Sequence, residues 1–319
     1  MSDLQHSAKT FMELISSCKN VTILSHVNPD PDAIGTALGV YAWLKAQGIQ
    51  VEVVNVTKDI PVYLDFLPYF SKIKRKIDFE DSLIISCDCG SIDRLGFDVS
   101  GRDIINIDHH VTNTQFGILN IVDASAVSSS ELAYELLHQI KPISKDTATA
   151  FYTALISDTR NFTTSNMHKG VFTIASELVE LGADCVHISR QMINRRSLAS
   201  LRILGIAMDS MELHFNAKIA MMMIHQEDLQ HSGAKISDLD GVVDYAKSLA
   251  TVEVALMFVE RKDDIKTSIR SKGVDISGLA RYFGGGGHSM ASGFESKEIG
   301  IEELSVKVLR EIKNRRLIK

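Results

Sequence analysis

Three runs of consecutive apolar, largely β-branched residues in this chain each stop at a side chain able to bind a metal. Val21–Ser25 is followed by His26, with Asp30 and Asp32 close behind; Leu83–Cys87 is followed by Asp88; residues 104–107 are followed by Asp108-His109-His110. Such runs read as strands buried on both faces, the pattern of a parallel sheet. In an open α/β sheet the carboxyl ends of the strands share one crevice, where ligands bind. Acids gathered there repel one another unless cations neutralise them. The economical reading is a two-metal site, and two-metal sites do chemistry at phosphate.

The 319 residues are enough for two cores. A hydrophobic content of 45% with 23% charged residues describes a globular chain and excludes a disordered one. The net charge of −6 argues against a protein that coats long nucleic acid, which carries a basic footprint, and leaves small anionic substrates open. Four cysteines, Cys18, Cys87, Cys89 and Cys185, make no disulfide framework and fit a reducing cytosol. Cys87 and Cys89 flank Asp88, but no second pair completes a zinc site, so core packing accounts for them. The N-terminal Met1-Ser2-Asp3-Leu4 lacks the basic and apolar regions of a signal peptide, and no apolar run approaches a membrane span. A soluble, cytoplasmic protein is expected.

Strand patterns at Val21–Ser25, 51–56, Leu83–Cys87 and 104–107 alternate with helical ones. From Asp32, the residues Ile34, Ala37, Leu38, Tyr41 and Leu44 follow helical spacing, and Gly48 supplies a stop. This is a βαβ unit with parallel strands. Helices follow at 131–140, 145–158, 169–181 and 186–193, and a polar stretch, Asn194-Arg195-Arg196-Ser197, opens a linker. Beyond it, strands at 218–224, 252–260 and 266–270 and helices at 242–249, 276–283 and 301–315 describe a second α/β domain. The expected division is 1–193, a linker over 194–210, and a smaller domain over 211–319, with the active site in the cleft between domains. The Met221-Met222-Met223 triplet is assigned to core packing.

Singly, each strand-end residue has a bland explanation. Asp32 could cap the helix that follows it, and Asp88 before Gly90-Ser91 could form a turn. Together, three ligand-type side chains within seven residues behind a buried strand favour a metal, and O and N donors suit Mn²⁺ or Mg²⁺. His109 and His110 are adjacent and must point apart, so one would bind metal and the other would face substrate. Asp108 can orient an imidazole by accepting its N–H. Far downstream, Gly284-Gly285-Gly286-Gly287-His288 permits positive φ and close backbone approach, an anion nest ahead of a short helix. Arg270 ends a strand nearby, and no continuous basic stripe is visible to hold a long strand.

These motifs, in this order, resemble those of the DHH phosphoesterase superfamily: His26-x3-Asp30-x-Asp32, Asp88, Asp108-His109-His110 and Asp158. The glycine run with His288 resembles the signature of the C-terminal DHH-associated domain in the first subfamily. Within it, the chain is most similar to the bifunctional oligoribonuclease and PAP phosphatase (nanoRNase) group. The resemblance implies an Mn²⁺-dependent hydrolase (Mg²⁺ as substitute), an exonuclease-like enzyme acting on short single-stranded RNA or DNA oligonucleotides, on dinucleotides such as pApA and on 3′-phosphoadenosine 5′-phosphate (pAp). It implies that His26, Asp30 and Asp88 hold one metal and Asp32, Asp88, His109 and Asp158 the other. His110 would contact the scissile phosphate with Asp108 supporting it, and Arg270, Gly285, Gly286, Gly287 and His288 would grip the nucleotide. Pro31 departs from the family's usual glycine between the first two acids and fixes φ there. The rival enzyme reading is a stand-alone phosphodiesterase for the cyclic dinucleotide c-di-AMP. The rival of another class is a non-catalytic nucleotide sensor, whose mark, a lost ligand, is absent. Assembly as a homodimer is compatible with all of these.

Overall fold

The computed structural model describes residues 2–297 and 299–318, so Met1 of the N-terminal stretch lies outside the described residues. The chain divides into two compact units, one ending at Arg195 and the other beginning at Arg196. Among the described residues no helix is long and apolar enough to cross a membrane.

In the first unit the strands are β1 (Val21–Ser25), β2 (Val51–Val54), β3 (Ile73–Lys74), β4 (Leu83–Cys87), β5 (Ile104–Asp108) and β6 (Leu119–Val122). They lie in the order β3-β2-β1-β4-β5-β6 with every pairing parallel. The chain order reverses between β1 and β4. That is the topological switch point, where the connections leave in opposite directions and open a crevice at the strands' carboxyl ends. His26 follows β1 and Asp88 follows β4, so both stand at this point.

One face of this sheet is covered by α1 (Ser2–Ser17), α2 (Pro31–Ala46), α3 (Ser129–His138), α4 (Lys145–Asp158), α5 (Lys169–Glu180) and α6 (Cys185–Asn194). The other face carries a smaller core of Leu24, Val54, Ile84, Leu95, Val99 and Ile104. Helix α2 is apolar all round and buried from Pro31 to Leu44, as a central helix must be. Asp30 caps it, accepting from the Ala33 backbone N–H at 2.9 Å, and Pro31 occupies the first turn, where its missing N–H has no helical partner to lose. Proline is therefore accommodated between the two acids. Gly35 and Gly39 let α4 approach closely: a Cβ on Gly35 would lie 2.8 Å from the Ala150 carbonyl oxygen, and one on Gly39 2.3 Å from the Phe151 ring. This contact brings Asp32, in the first turn of α2, towards Asp158, the last residue of α4.

The second unit holds α7 (Leu198–Asp209), β7 (Glu212–His214), β8 (Ile219–Ile224), α8 (Gln226–Ser232), α9 (Val242–Ser248), β9 (Val254–Glu260), β10 (Ile265–Ser271), α10 (Ser277–Tyr282), β11 (Gly286–His288), β12 (Ala291–Ser296) and α11 (Ile301–Asn314). Its sheet runs β11-β12-β10-β9-β8-β7, with β8 and β9 parallel and the other pairs antiparallel. The unit buries two cores: Leu304 and Val308 of α11 join one, and Val242 and Ala246 of α9 join the other.

Two expectations need correction. The stretch 194–210 is not a linker throughout, because α7 occupies most of it. Ser197 caps that helix by accepting from the Ser200 N–H at 2.9 Å, and Ile203 and Ala207, one helical turn apart, are buried in the second unit's core. The glycine run does not stand ahead of a helix: it follows α10 and enters the β11–β12 hairpin. Gly285 and Gly287 are needed there because a Cβ on either would collide with the backbone of β12, at 2.1 Å from the Gly293 oxygen and 2.6 Å from the Ala291 oxygen.

Candidate metal centre

Asp88 is the centre of the cluster. It is buried, and its backbone is left-handed at φ 55°, a conformation that costs a non-glycine residue energy but that aspartate tolerates. Its N–H donates to the Ile107 carbonyl at 2.9 Å, which holds the strand end in place while the side chain turns into the crevice. One carboxylate oxygen, Oδ2, lies 3.5 Å from His26 Nε2. The other, Oδ1, lies 3.6 Å from His109 Nε2 and 3.6 Å from His110 Nδ1. Asp88 thus faces two ligand groups with different oxygens.

Those groups are His26, Asp30 and Asp88 on one side and Asp32, His109 and Asp158 on the other; within each, the ligand atoms lie within 4.8 Å of one another. His26 Nε2 is 4.0 Å from Asp30 Oδ2, and His109 Nε2 is 3.3 Å from Asp158 Oδ2 and 3.9 Å from Asp32 Oδ2. Each imidazole is turned the same way. His26 Nδ1 faces the Val27 carbonyl at 2.9 Å and His109 Nδ1 the Ala126 carbonyl at 3.3 Å. A carbonyl only accepts, so Nδ1 keeps its proton and Nε2 is the nitrogen turned to the cluster, where it donates to a carboxylate when protonated and offers its lone pair to a metal when not.

His110 differs. Its Nδ1 lies 2.7 Å from Asp108 Oδ1, and Asn113 donates to the other oxygen of Asp108 at 2.5 Å. Asp108 is fully buried at the end of β5, so it serves to fix a ring. The start of α3 closes the site: Ser129 Oγ donates to Asp88 Oδ1 and Ser129 N–H to Asp32 Oδ2, both at 2.8 Å, and Thr36 donates to Asp32 Oδ1 at 3.0 Å. The positive end of that helix therefore faces two of the acids. Sequence reasoning missed Ser129, Thr36 and Asn113. A signal for the first was present, since Ser128-x-x-Glu131 is a helix-start pattern, and Ser128 does accept from the Glu131 N–H.

The electrostatics show what the cluster favours. Burial and the neighbouring carboxylates Asp88 and Asp158 push Asp32 well above the usual carboxylate range, and burial with Asp30 and Asp88 does the same to Asp158. Burial also opposes ionisation of Asp88, yet the His26 hydrogen bond and the charges of His110 and His109 hold it below that range. Burial lowers His110, but the Asp108 hydrogen bond and the charge of Asp88 outweigh it and raise the ring to about 9. Protons here stand in for positive charge. A set of carboxylate oxygens and imidazole nitrogens in two groups around one shared carboxylate fits two divalent cations of the Mn²⁺ or Mg²⁺ kind.

The residues expected to bind substrate lie in the second unit. Arg270 on β10 and His288 on β11 both stand opposite Ala291 of the intervening β12. Directly opposed residues point to one face of a sheet, so the two side chains share a face roughly 10 Å apart. Gly284 and Gly287 have φ of 82° and 131°, and Gly286 has open space above it.

A parallel sheet with a shared-carboxylate cluster at its switch point, followed by a smaller α/β domain bearing a glycine hairpin, is the architecture of a hydrolytic phosphoesterase. Residues 20–155 match the DHH family, N-terminal domain, and residues 216–314 match the DHHA1 domain; the chain belongs to the DHH phosphoesterase family. It is 29% identical over 298 residues to the bifunctional oligoribonuclease and PAP phosphatase NrnA of Thermus thermophilus, covering 92% of this chain and 89% of that protein. A crystal structure of an exopolyphosphatase-related protein from Bacteroides fragilis superposes with a TM-score of 0.89 at 29% identity, over 98% of this chain and 97% of that one. RecJ of Thermus thermophilus in complex with Mn²⁺ shares the fold, with a TM-score of 0.58 at 14% identity, over 98% of this chain and 55% of that one.

Proposed function

We propose that this chain hydrolyses short oligonucleotides and pAp with two divalent cations. The observation that carries the reading is Asp88, whose two oxygens face two separate ligand groups. His26, Asp30 and Asp88 would hold one cation, and Asp32, Asp88, His109 and Asp158 the other. When bound, the cations supply Lewis acidity toward the phosphoryl oxygen and the attacking water.

The chain's own residues do the rest. The Val27 and Ala126 carbonyls hold His26 and His109 in the ligand tautomer. Ser129 and Thr36 fix the carboxylates of Asp88 and Asp32, so that little reorganisation accompanies the reaction. His110, its ring fixed by the contact of Nδ1 with Asp108, would face the phosphoryl oxygens. Arg270, His288 and the backbone of Gly285, Gly286 and Gly287 grip the nucleotide. The name of the relative NrnA, with its two activities, supports this substrate class.

The test is product analysis with Mn²⁺ across pAp, pApA, c-di-AMP, a five-nucleotide RNA and pyrophosphate. Release of mononucleotides from the RNA and pApA, and of phosphate from pAp, is expected. Turnover of c-di-AMP alone would replace this reading with the cyclic-dinucleotide one. Two tightly bound Mn²⁺ without turnover of any phosphoester would leave a sensor.

A further inference from the structure

The carbonyl that faces His109 belongs to a peptide with a second partner. The Ala126 C=O, 3.3 Å from His109 Nδ1, and the Val127 N–H are the two ends of one amide, and that N–H donates to Glu131 Oε2 at 2.7 Å. Glu131 stands in the first turn of α3, where Ser128 Oγ accepts from its N–H at 3.2 Å. In an ordinary capping box the glutamate reaches back to the N–H of the capping serine. Here it reaches one residue further, to the amide that holds a histidine of the metal centre.

Glu131 is 3% exposed, and a carboxylate that deep needs its hydrogen bonds. His168, at the start of α5, meets the other oxygen, with Nε2 3.1 Å from Oε1. The Ala126 N–H donates to the Asp123 carbonyl at 3.2 Å, so the turn leading into α3 is held from both sides. An anion that accepts from an amide N–H draws negative charge onto the carbonyl oxygen of the same amide, a cooperative gain of about 10–30% per bond. Many metal-binding histidines lean on a carboxylate directly. His109 leans on one through a single peptide. His26 supplies the comparison: its Nδ1 faces the Val27 carbonyl, and the N–H of that amide, which is Asn28's, donates to the neutral hydroxyl of Thr57 at 2.8 Å. Of the two histidines, His109 is the one with an anion behind its peptide.

We propose that Glu131 is a positioning residue of the metal centre, acting through the Ala126–Val127 peptide to hold the His109 ring with Nε2 towards the cation and to strengthen its donation. The proposal rests on the two-cation reading given above and concerns a residue outside both ligand groups.

Calorimetric titration with Mn²⁺ and ¹H–¹⁵N NMR of the metal-free protein test it, on the wild type, Glu131→Gln and Glu131→Ala. The glutamine keeps an oxygen for the Val127 N–H, and so the helix start, but loses the charge. It should weaken one of the two Mn²⁺ sites about tenfold, the lower end of what an outer partner of a ligating histidine contributes, with the melting temperature near that of the wild type. Glu131→Ala should weaken the same site at least as much and also lower the melting temperature. In both variants the His109 Nδ1–H proton should move upfield, because a weaker hydrogen bond deshields it less, while that of His26 stays in place. Wild-type Mn²⁺ affinity in Glu131→Gln, which a plain helix cap predicts, overturns the proposal. An unmoved His109 Nδ1–H, or an equal shift at His26, overturns it too. Failure of the substrate reading shows separately, as absent turnover by the wild type, and leaves the Mn²⁺ titration intact. If the wild type binds no Mn²⁺, the two-cation reading falls and the His109 resonance alone decides: an upfield shift confined to His109 supports the action through the peptide, and an unmoved resonance refutes it.

Discussion

The two sheets of this protein place their polar residues in opposite ways. In the first unit they stand at the ends of strands, buried, behind runs that are otherwise apolar: His26 after β1, Asp88 after β4, Asp108 closing β5. In the second they stand along a strand, on its open face, with apolar residues between them: Lys266, Ser268 and Arg270. A strand-end site gathers groups from several strands into one small volume, so charges must be matched by bound cations. A strand-face site spreads groups at two-residue intervals in contact with solvent, which suits a long, flexible anion. The first arrangement suits chemistry on a small group and the second suits contact with an extended one.

Removing a shared ligand is the severest test of that contrast. Asp88→Asn keeps the shape but takes away the charge that faces both groups, and the asparagine amide cannot offer two anionic oxygens. Turnover should fall by at least about 10³-fold, with metal content below that of the wild type by elemental analysis. Near-normal turnover in the metal-replete variant would sink the two-metal proposal. Arg270→Ala probes the other region. Losing a charged hydrogen-bond donor to phosphate removes about 1.5–3 kcal/mol. KM for a nucleotide should therefore rise roughly 10- to 100-fold with metal content unaltered. A KM unchanged for every nucleotide tested would take the second unit out of the site.

The same contrast explains what could be read in the sequence. Apolar runs followed by acids are contiguous, so the strands β1, β4 and β5 and the residues they end in stood out without a structure. Helix α2 was legible from Ile34 to Leu44, and the structure adds that Pro31 fits its first turn. What stayed hidden depends on distant pairing. Strand β3 is two residues long and β6 is only half-buried, so neither carries a pattern of its own. The hydrogen bonds of Ser129 to Asp88 and Asp32 join residues 41 and 97 positions apart. Helix α7 lay behind a polar stretch that imitates a linker. The glycine run advertised an anion nest, while its close contacts with β12 show that two of its glycines answer first to packing.

Glycine within helices gives the mildest and most discriminating comparison of the two units. On propensity alone, any Gly→Ala change inside a helix should stabilise by about 0.5–1 kcal/mol. Gly205 in α7 meets that condition, for an added Cβ has nothing within 4 Å. Gly39 in α2 does not, because its Cβ would lie 2.3 Å from the ring of Phe151, which is itself fully buried and has nowhere to move. Overpacking of this kind costs about 1–3 kcal/mol and outweighs the propensity gain. Thermal unfolding should therefore shift in opposite directions, upward by a few degrees for Gly205→Ala and downward for Gly39→Ala. Gly39→Ala should also reduce turnover, since α2 and α4 carry Asp32 and Asp158 and any parting of the helices separates them. A stabilised, fully active Gly39→Ala would show that the contact between α2 and α4 does not set the spacing of the metal ligands.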